Sequence, residues 1–298
     1  MQKGDTKSLA RAITLVENEL PGYEDLLLLL QTDVVPNVIG ITGPPGAGKS
    51  TLVNSLIMHW VRQDKKIAVI AVDPSSPFNY GALLGDRIRM SGFYNHPHVY
   101  IRSLASRGVL GGLNAKILEI TDVVKNAGFD FIIVETVGVG QSEVEIAGLA
   151  DCTVVALVPE AGDEVQTLKA GIMEIADMFV VNKADRENAG ALYRSLKILV
   201  HEKAVPGAEI PVFKTIATTQ DGVTEVAAGI EKLLMAGNGL NEKKLHFLTE
   251  KAWQLIVKSR MKDLSKMQLF SEIERALKAH DFSLYHFIGR YRNFDNNG

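Results

Sequence analysis

The chain has 298 residues, 46% of them hydrophobic, enough for a globular protein with a substantial buried core. Its 32 Lys and Arg against 35 Asp and Glu give a formal charge of −3, so no basic excess draws it to nucleic acid or an anionic membrane, and any bound phosphate must be held locally. A single cysteine, Cys152, excludes an internal disulfide and a multi-cysteine metal site, and suits a reducing, cytoplasmic compartment.

The N-terminus, Met1-Gln2-Lys3-Gly4-Asp5, carries charge and lacks the apolar core of a signal peptide. Leu9, Ile13, Val16 and Leu20 recur at helical spacing and predict an amphipathic helix with Arg11, Glu17 and Glu19 on its other faces, within an N-terminal helical arm over 1–36. The leucine run Leu26 to Leu30, after Pro21-Gly22, is too short to span a bilayer and reads as a buried helical segment. The chain is expected to be soluble.

From Val38 onwards apolar runs alternate with helical stretches: Val38 to Ile41, Ile67 to Val72, Val99 to Ile101, Phe131 to Val134, Thr153 to Leu157 and Phe179 to Val181. Short and β-branched, they read as strands buried on both faces, which predicts an α/β domain over 37–237 with a mostly parallel sheet flanked by helices. After Gly237-Asn238-Gly239, the stripe Leu245, Leu248, Ala252, Leu255 and Ile256, with further helical signal at Ile273 to Leu277 and Phe282 to Ile288, predicts a helical C-terminal extension over 238–298. An apolar stripe outside a complete α/β core needs a partner surface, either the core itself or a second copy of the chain.

Gly43-Pro44-Pro45-Gly46-Ala47-Gly48-Lys49-Ser50 is a full Walker A sequence, set between an apolar strand and a helical segment that begins at Thr51. Its glycines let backbone N–H groups close around phosphate oxygens, and the helix N-terminus adds partial positive charge. Lys49 is expected on the β- and γ-phosphates and the Ser50 hydroxyl on Mg²⁺. Asp73, at the end of the second strand, is a candidate metal group that could instead cap a turn with Ser75 and Ser76; Asp86 is a second acid in Gly85-Asp86-Arg87. Phe131 to Val134 ends in Glu135, a Walker B shape with Glu where most GTPases have Asp, able to bind Mg²⁺ through a water or to polarise the attacking water.

Asn182-Lys183-Ala184-Asp185, directly after a strand, is the guanine-reading sequence Asn-Lys-x-Asp. The Asp185 carboxylate can accept from guanine N1–H and the N2 amine together, whereas adenine would turn a lone pair towards it. Lys183 would lie along the base and Asn182 brace neighbouring loops. GTP or GDP with Mg²⁺ is the expected ligand.

These stretches, with Leu84 to Met90, Glu135 to Glu143 and Gly162 to Gly171, resemble the MeaB/ArgK family over essentially the whole chain. These are the methylmalonyl-CoA mutase-associated GTPases of the SIMIBI class of P-loop proteins. The resemblance implies a P-loop NTPase fold and a GTPase chaperone for an adenosylcobalamin-dependent acyl-CoA mutase, gating cofactor loading and protecting the mutase. It implies that Asp73, Asp86 and Glu135 surround the metal and catalytic water, with Lys49 catalytic beside them on the phosphates, that Gly162 to Lys169 carries the nucleotide state to the mutase, and that the C-terminal arm forms a homodimer. Where the family has Thr-Ser-Ala behind the guanine this chain has Thr215-Ile216-Ala217, whose backbone could still donate. Arg102 and Arg107 are candidate arginine fingers or surface salt bridges. The rival readings are an ATPase or kinase linked to amino-acid transport, a metallochaperone with His96 and His98 as its closest histidine pair, and a scaffold that binds GTP without turning it over.

Overall fold

A computed structural model describes residues 5–31, 36–73, 90–105, 113–136, 142–160, 171–203, 209–237, 242–261, 264–278, 282–289 and 291; of residues 73, 91, 142–144, 172 and 203 the backbone alone is described. The chain divides into two compact units, Met1–Phe247 and Leu248–Gly298.

In the first unit, α1 (Thr6–Glu17) and α2 (Tyr23–Leu28) precede β1 (Asn37–Thr42), α3 (Lys49–Val61), β2 (Ile67–Asp73) and β3 (Val99–Ala105). After these come α4 (Ile117–Lys125), β4 (Phe131–Glu135), α5 (Ser142–Leu149), β5 (Cys152–Leu157), α6 (Ile172–Ile175), β6 (Met178–Val181), α7 (Ala189–Lys203), β7 (Val212–Lys214) and α8 (Val223–Ala236). The seven strands form one sheet in the order β3-β2-β4-β1-β5-β6-β7, parallel throughout. All six predicted strands are present, and the sheet is wholly rather than mostly parallel.

Alternation along each strand builds two faces. Ile39, Ile41, Ile67, Val69 and Ile133 turn to the side packed by α3 and α8, where Trp60 is fully buried and its indole N–H donates to Glu231 at 2.6 Å. Val38, Ala68, Ile70, Ile132 and Val134 turn to the other, where α1 and α4 pack. A third cluster joins β5 and β6 to α6 and α7.

α1 is a working part of this core. Asp5 caps it by accepting from the Lys7 and Ser8 amides, and Leu9, Ala12, Ile13 and Val16 are buried in the cluster that holds β2. At roughly 1.5–3 kcal/mol for each large apolar side chain, that burial far exceeds the capping contribution. The helix stops at Glu17, however, and Leu20 is 43% exposed beyond it. The leucine run is also less buried than expected. Leu26, Leu27 and Leu30 lean on the core while Leu28 and Leu29 are 85% and 80% exposed, because a six-residue helix on the surface has only one side to bury.

The second unit begins inside α9 (Glu242–Arg260) and continues through α10 (Lys266–Lys278) and α11 (Leu284–Gly289). Phe287 is buried there, whereas Trp253, Met267, Phe270 and Tyr285 are mostly exposed. No helix among the described residues is long and apolar enough to cross a membrane.

Cys152, at the start of β5, is fully buried, and burial, reinforced by Asp177 and Asp151, pushes its thiol pKa up to about 12. The thiolate is the reactive form. Iodoacetamide at mildly alkaline pH should therefore leave Cys152 unmodified in the native protein and alkylate it in denaturant, as mass spectrometry would show.

Candidate nucleotide site

The site is built at the C-terminal ends of the parallel strands, where β1 lies between β4 and β5 and connections leave in opposite directions. β1 ends at Thr42 and the chain turns through Gly43, whose φ of +135° and 2.0 Å approach of a would-be Cβ to the Ala156 carbonyl oxygen exclude any side chain. Gly48, φ +80°, opens α3, and a Cβ there would meet the Asn182 amide nitrogen at 2.4 Å. Lys49 is buried and folds back over the loop, donating from Nζ to the carbonyls of Gly43 at 2.7 Å and Pro44 at 3.0 Å.

β4 brings the acid. Glu135 is in register with Ile41 of β1, the Thr136 amide donates to the Ile41 carbonyl, and the Thr42 and Thr136 hydroxyls meet at 2.9 Å. Glu135 is thereby held where the Ser50 hydroxyl donates to its Oε1 at 2.7 Å, both residues being buried. A hydroxyl and a carboxylate, hard oxygens in a nearly dry setting, suit a small divalent cation. Asp73 stands at the end of β2, opposite Ala105; its side chain, Asp86, Arg107 and 161–170 lie outside the described residues.

β6 and β7 supply the second half. Asn182 is buried after β6; its amide donates to the carbonyls of Ala47 at 2.9 Å and Gly48 at 3.4 Å. Its Oδ1 accepts from the Lys183 amide, the Thr215 hydroxyl and the Ala217 amide. One pocket is lined by Gly48, Thr51, Asn182, Lys183, Asp185, Ile216 and Ala217, so three distant stretches singled out by sequence converge on it. Sequence reading missed Arg186 and Thr218, which also line it, although Arg186 directly follows the motif. Arg186 pairs with Glu160, and that hydrogen bond holds the Glu160 carboxyl below its usual range.

The backbone donation expected of Thr215-Ile216-Ala217 falls on amides already bonded within the protein, to the Val181 carbonyl, the Asp221 carbonyl and Asn182 Oδ1. Arg102 is not aimed as a finger. Its Nη2 donates to Glu17 at 2.7 Å and Thr14 at 3.3 Å, tying β3 to α1. The His96 and His98 rings meet edge-on at 78° with centroids 5.8 Å apart in the approach to β3, and His98 contacts Asp64 at 3.3 Å.

A buried lysine loop on a parallel sheet, a strand-end acid against its serine, and an Asn-Lys-x-Asp pocket beside them define a P-loop GTPase. The family described as "Methylmalonyl Co-A mutase-associated GTPase MeaB" matches residues 9–269, and the chain belongs to it. A Pyrococcus abyssi protein is 42% identical over 297 residues, covering 96% of this chain and 91% of its own. The Mus musculus "Methylmalonic aciduria type A homolog, mitochondrial" is 35% identical over 246 residues, covering 75% of this chain and 59% of its own. The crystal structure of a LAO/AO transport system kinase aligns with a TM-score of 0.67 at 25% identity, over 99% of this chain and 95% of that one.

Two substitutions test these placements. Asp185→Asn should lower GTP affinity about hundredfold and move preference towards xanthosine triphosphate, whose C2 carbonyl accepts, as competition binding would show. Arg102→Ala should cost about 1–3 kcal/mol of stability by leaving the mostly buried Glu17 carboxylate without its guanidinium, while kcat for GTP stays the same; a collapsed kcat with unchanged melting would make Arg102 a finger after all.

Proposed function

We propose that the protein is a GTP-driven chaperone of an adenosylcobalamin-dependent acyl-CoA mutase, methylmalonyl-CoA mutase or a close relative, gating cofactor loading and protecting the mutase in the cytoplasm. The observation that carries the chemistry is the buried contact of Ser50 with Glu135 at the mouth of the lysine-bearing loop. The partner rests on the family's description and on the mouse relative's name.

In this reading Lys49 and the loop amides hold the phosphates, Asp185 reads the base, and Glu135 orients water for in-line attack. Ser50 and Glu135, with Asp73 and Asp86, would hold Mg²⁺, which would supply charge neutralisation at the phosphates. Residues 37–237 perform the chemistry and 1–36 brace them. The arm 238–298 meets a second copy: its exposed Trp253, Phe270 and Tyr285 are the kind of large side chains that homodimer interfaces cover. The segment Gly162 to Lys169 reports the nucleotide state.

Single-turnover GTP hydrolysis with and without purified mutase tests the reading. Glu135→Ala should slow hydrolysis by about 10²–10³ while GTP affinity stays within severalfold, since Lys49 and the loop are intact. Wild-type hydrolysis should change on adding the mutase; a mutase that neither binds the protein nor alters its turnover removes the chaperone role and leaves a GTPase.

A further inference from the structure

Ser55 lies in the second turn of α3 and is buried. A buried helix serine commonly rests on the carbonyl four residues back, and Ser55 Oγ has Thr51 O at 3.0 Å. Its shorter contact, 2.6 Å, is to the carbonyl of Ala217, 162 residues away along the chain. The other side of Ala217 is also held, its amide donating to Asn182 Oδ1 at 3.3 Å, and the same asparagine donates to the Ala47 carbonyl. The segment that walls the pocket is thus gripped at both ends of one residue, by the phosphate-loop helix on one side and by the base-reading motif on the other.

We propose that Ser55 is a positioning residue for the guanine base. It does not line the pocket and acts through Ala217, fixing the Ile216–Ala217 wall against α3 so that the space beside Asp185 matches a purine. Without the hydroxyl, the Ala217 carbonyl loses its helix-side donor, the wall loosens, and the pocket's preference for guanine weakens more than its grip on phosphate. This rests on the guanine reading of the pocket, and the experiment separates the two.

GDP and ADP affinities are measured by calorimetry for the wild type, Ser55→Ala and Ser55→Thr, with circular dichroism and thermal unfolding alongside. Ser55→Ala should bind GDP about fivefold to tenfold more weakly with ADP affinity unchanged, so the GDP-to-ADP ratio narrows by that factor, and kcat at saturating GTP should hold. Ser55→Thr, which keeps the donor, should restore the ratio. If Ser55→Ala does not fold, Ser55→Cys, of similar volume and weaker donor strength, takes its place in the comparison. An unchanged ratio, or equal losses for GDP and ADP, overturns the role of Ser55. A wild type that binds ADP as tightly as GDP overturns the guanine reading itself, and Ser55's role with it.

Discussion

Among the described residues two side chains tie the halves of the site together, the Asn182 amide and the Ser55 hydroxyl, and the amide makes the larger set of bonds. In the sheet order, β5 stands between β1 and β6, so no ladder hydrogen bond links the loop after β1 to the loops after β6 and β7. The amide spans that gap, donating to Ala47 and Gly48 carbonyls and accepting from the Lys183 and Ala217 amides and the Thr215 hydroxyl. Each such bond is worth only about 1 kcal/mol net, but a buried group left without its partner costs about 1–3 kcal/mol, so losing this one residue strands several groups at once. Phosphate loop and base pocket therefore keep one spacing, the distance a nucleoside phosphate has to bridge.

The same geometry shows why parts of the fold are readable from sequence and others are not. Strands buried on both faces of a parallel sheet must be apolar without interruption, so β1, β2, β4, β5 and β6 announce themselves. β7 has a neighbour on one side only, and its pattern runs from buried Val212 to exposed Lys214 in three residues, too short to form a run. Leucine content misleads at Leu28 and Leu29, where composition suggests burial and a short surface helix supplies none. The chemistry of Lys49, Ser50 and Asp185 is legible because each belongs to a contiguous motif. The pairings of Ser50 with Glu135 and of Ser55 with Ala217 cross 85 and 162 residues, and only the folded sheet brings them together.

Charge is the least legible feature. On α1, Arg11 is exposed as an amphipathic helix implies, but Glu17 is turned inward to Arg102. Lys116 is also nearly buried, within 2.9 Å of Glu19 and 3.2 Å of Glu119, with its ammonium 4.9 Å from the Tyr23 ring centroid. Burial alone would lower its pKa; the hydrogen bonds to Glu19 and Glu119 outweigh it and raise the value, so Lys116 stays charged and holds the N-terminal segment to α4. Hydrophobic burial of Leu9, Ile13 and Val16 supplies most of the attachment energy, and the ion pairs fix its register, since breaking a buried pair costs more than forming it contributes.

The bonds on the two sides of Asn182 differ in kind, and the difference locates where a nucleotide-dependent change can begin. On the base side, bonds run from backbone or side chain to backbone within the loops: Ala184 to Thr215, Thr215 to Val181, Ile216 to Asp221. A bound base has no need to displace them. On the phosphate side, Lys49 rests on two loop carbonyls and Ser50 on Glu135, partners that a phosphate oxygen and a divalent cation can replace one for one. The Lys49 ammonium and the Ser50 hydroxyl would thus have oxygen or cation partners before and after the exchange, which avoids the penalty of an empty buried donor. Glu135, released from Ser50 by such an exchange, is the last residue of β4, and the chain beyond it leads into α5. A change at the phosphates can therefore begin at the end of β4.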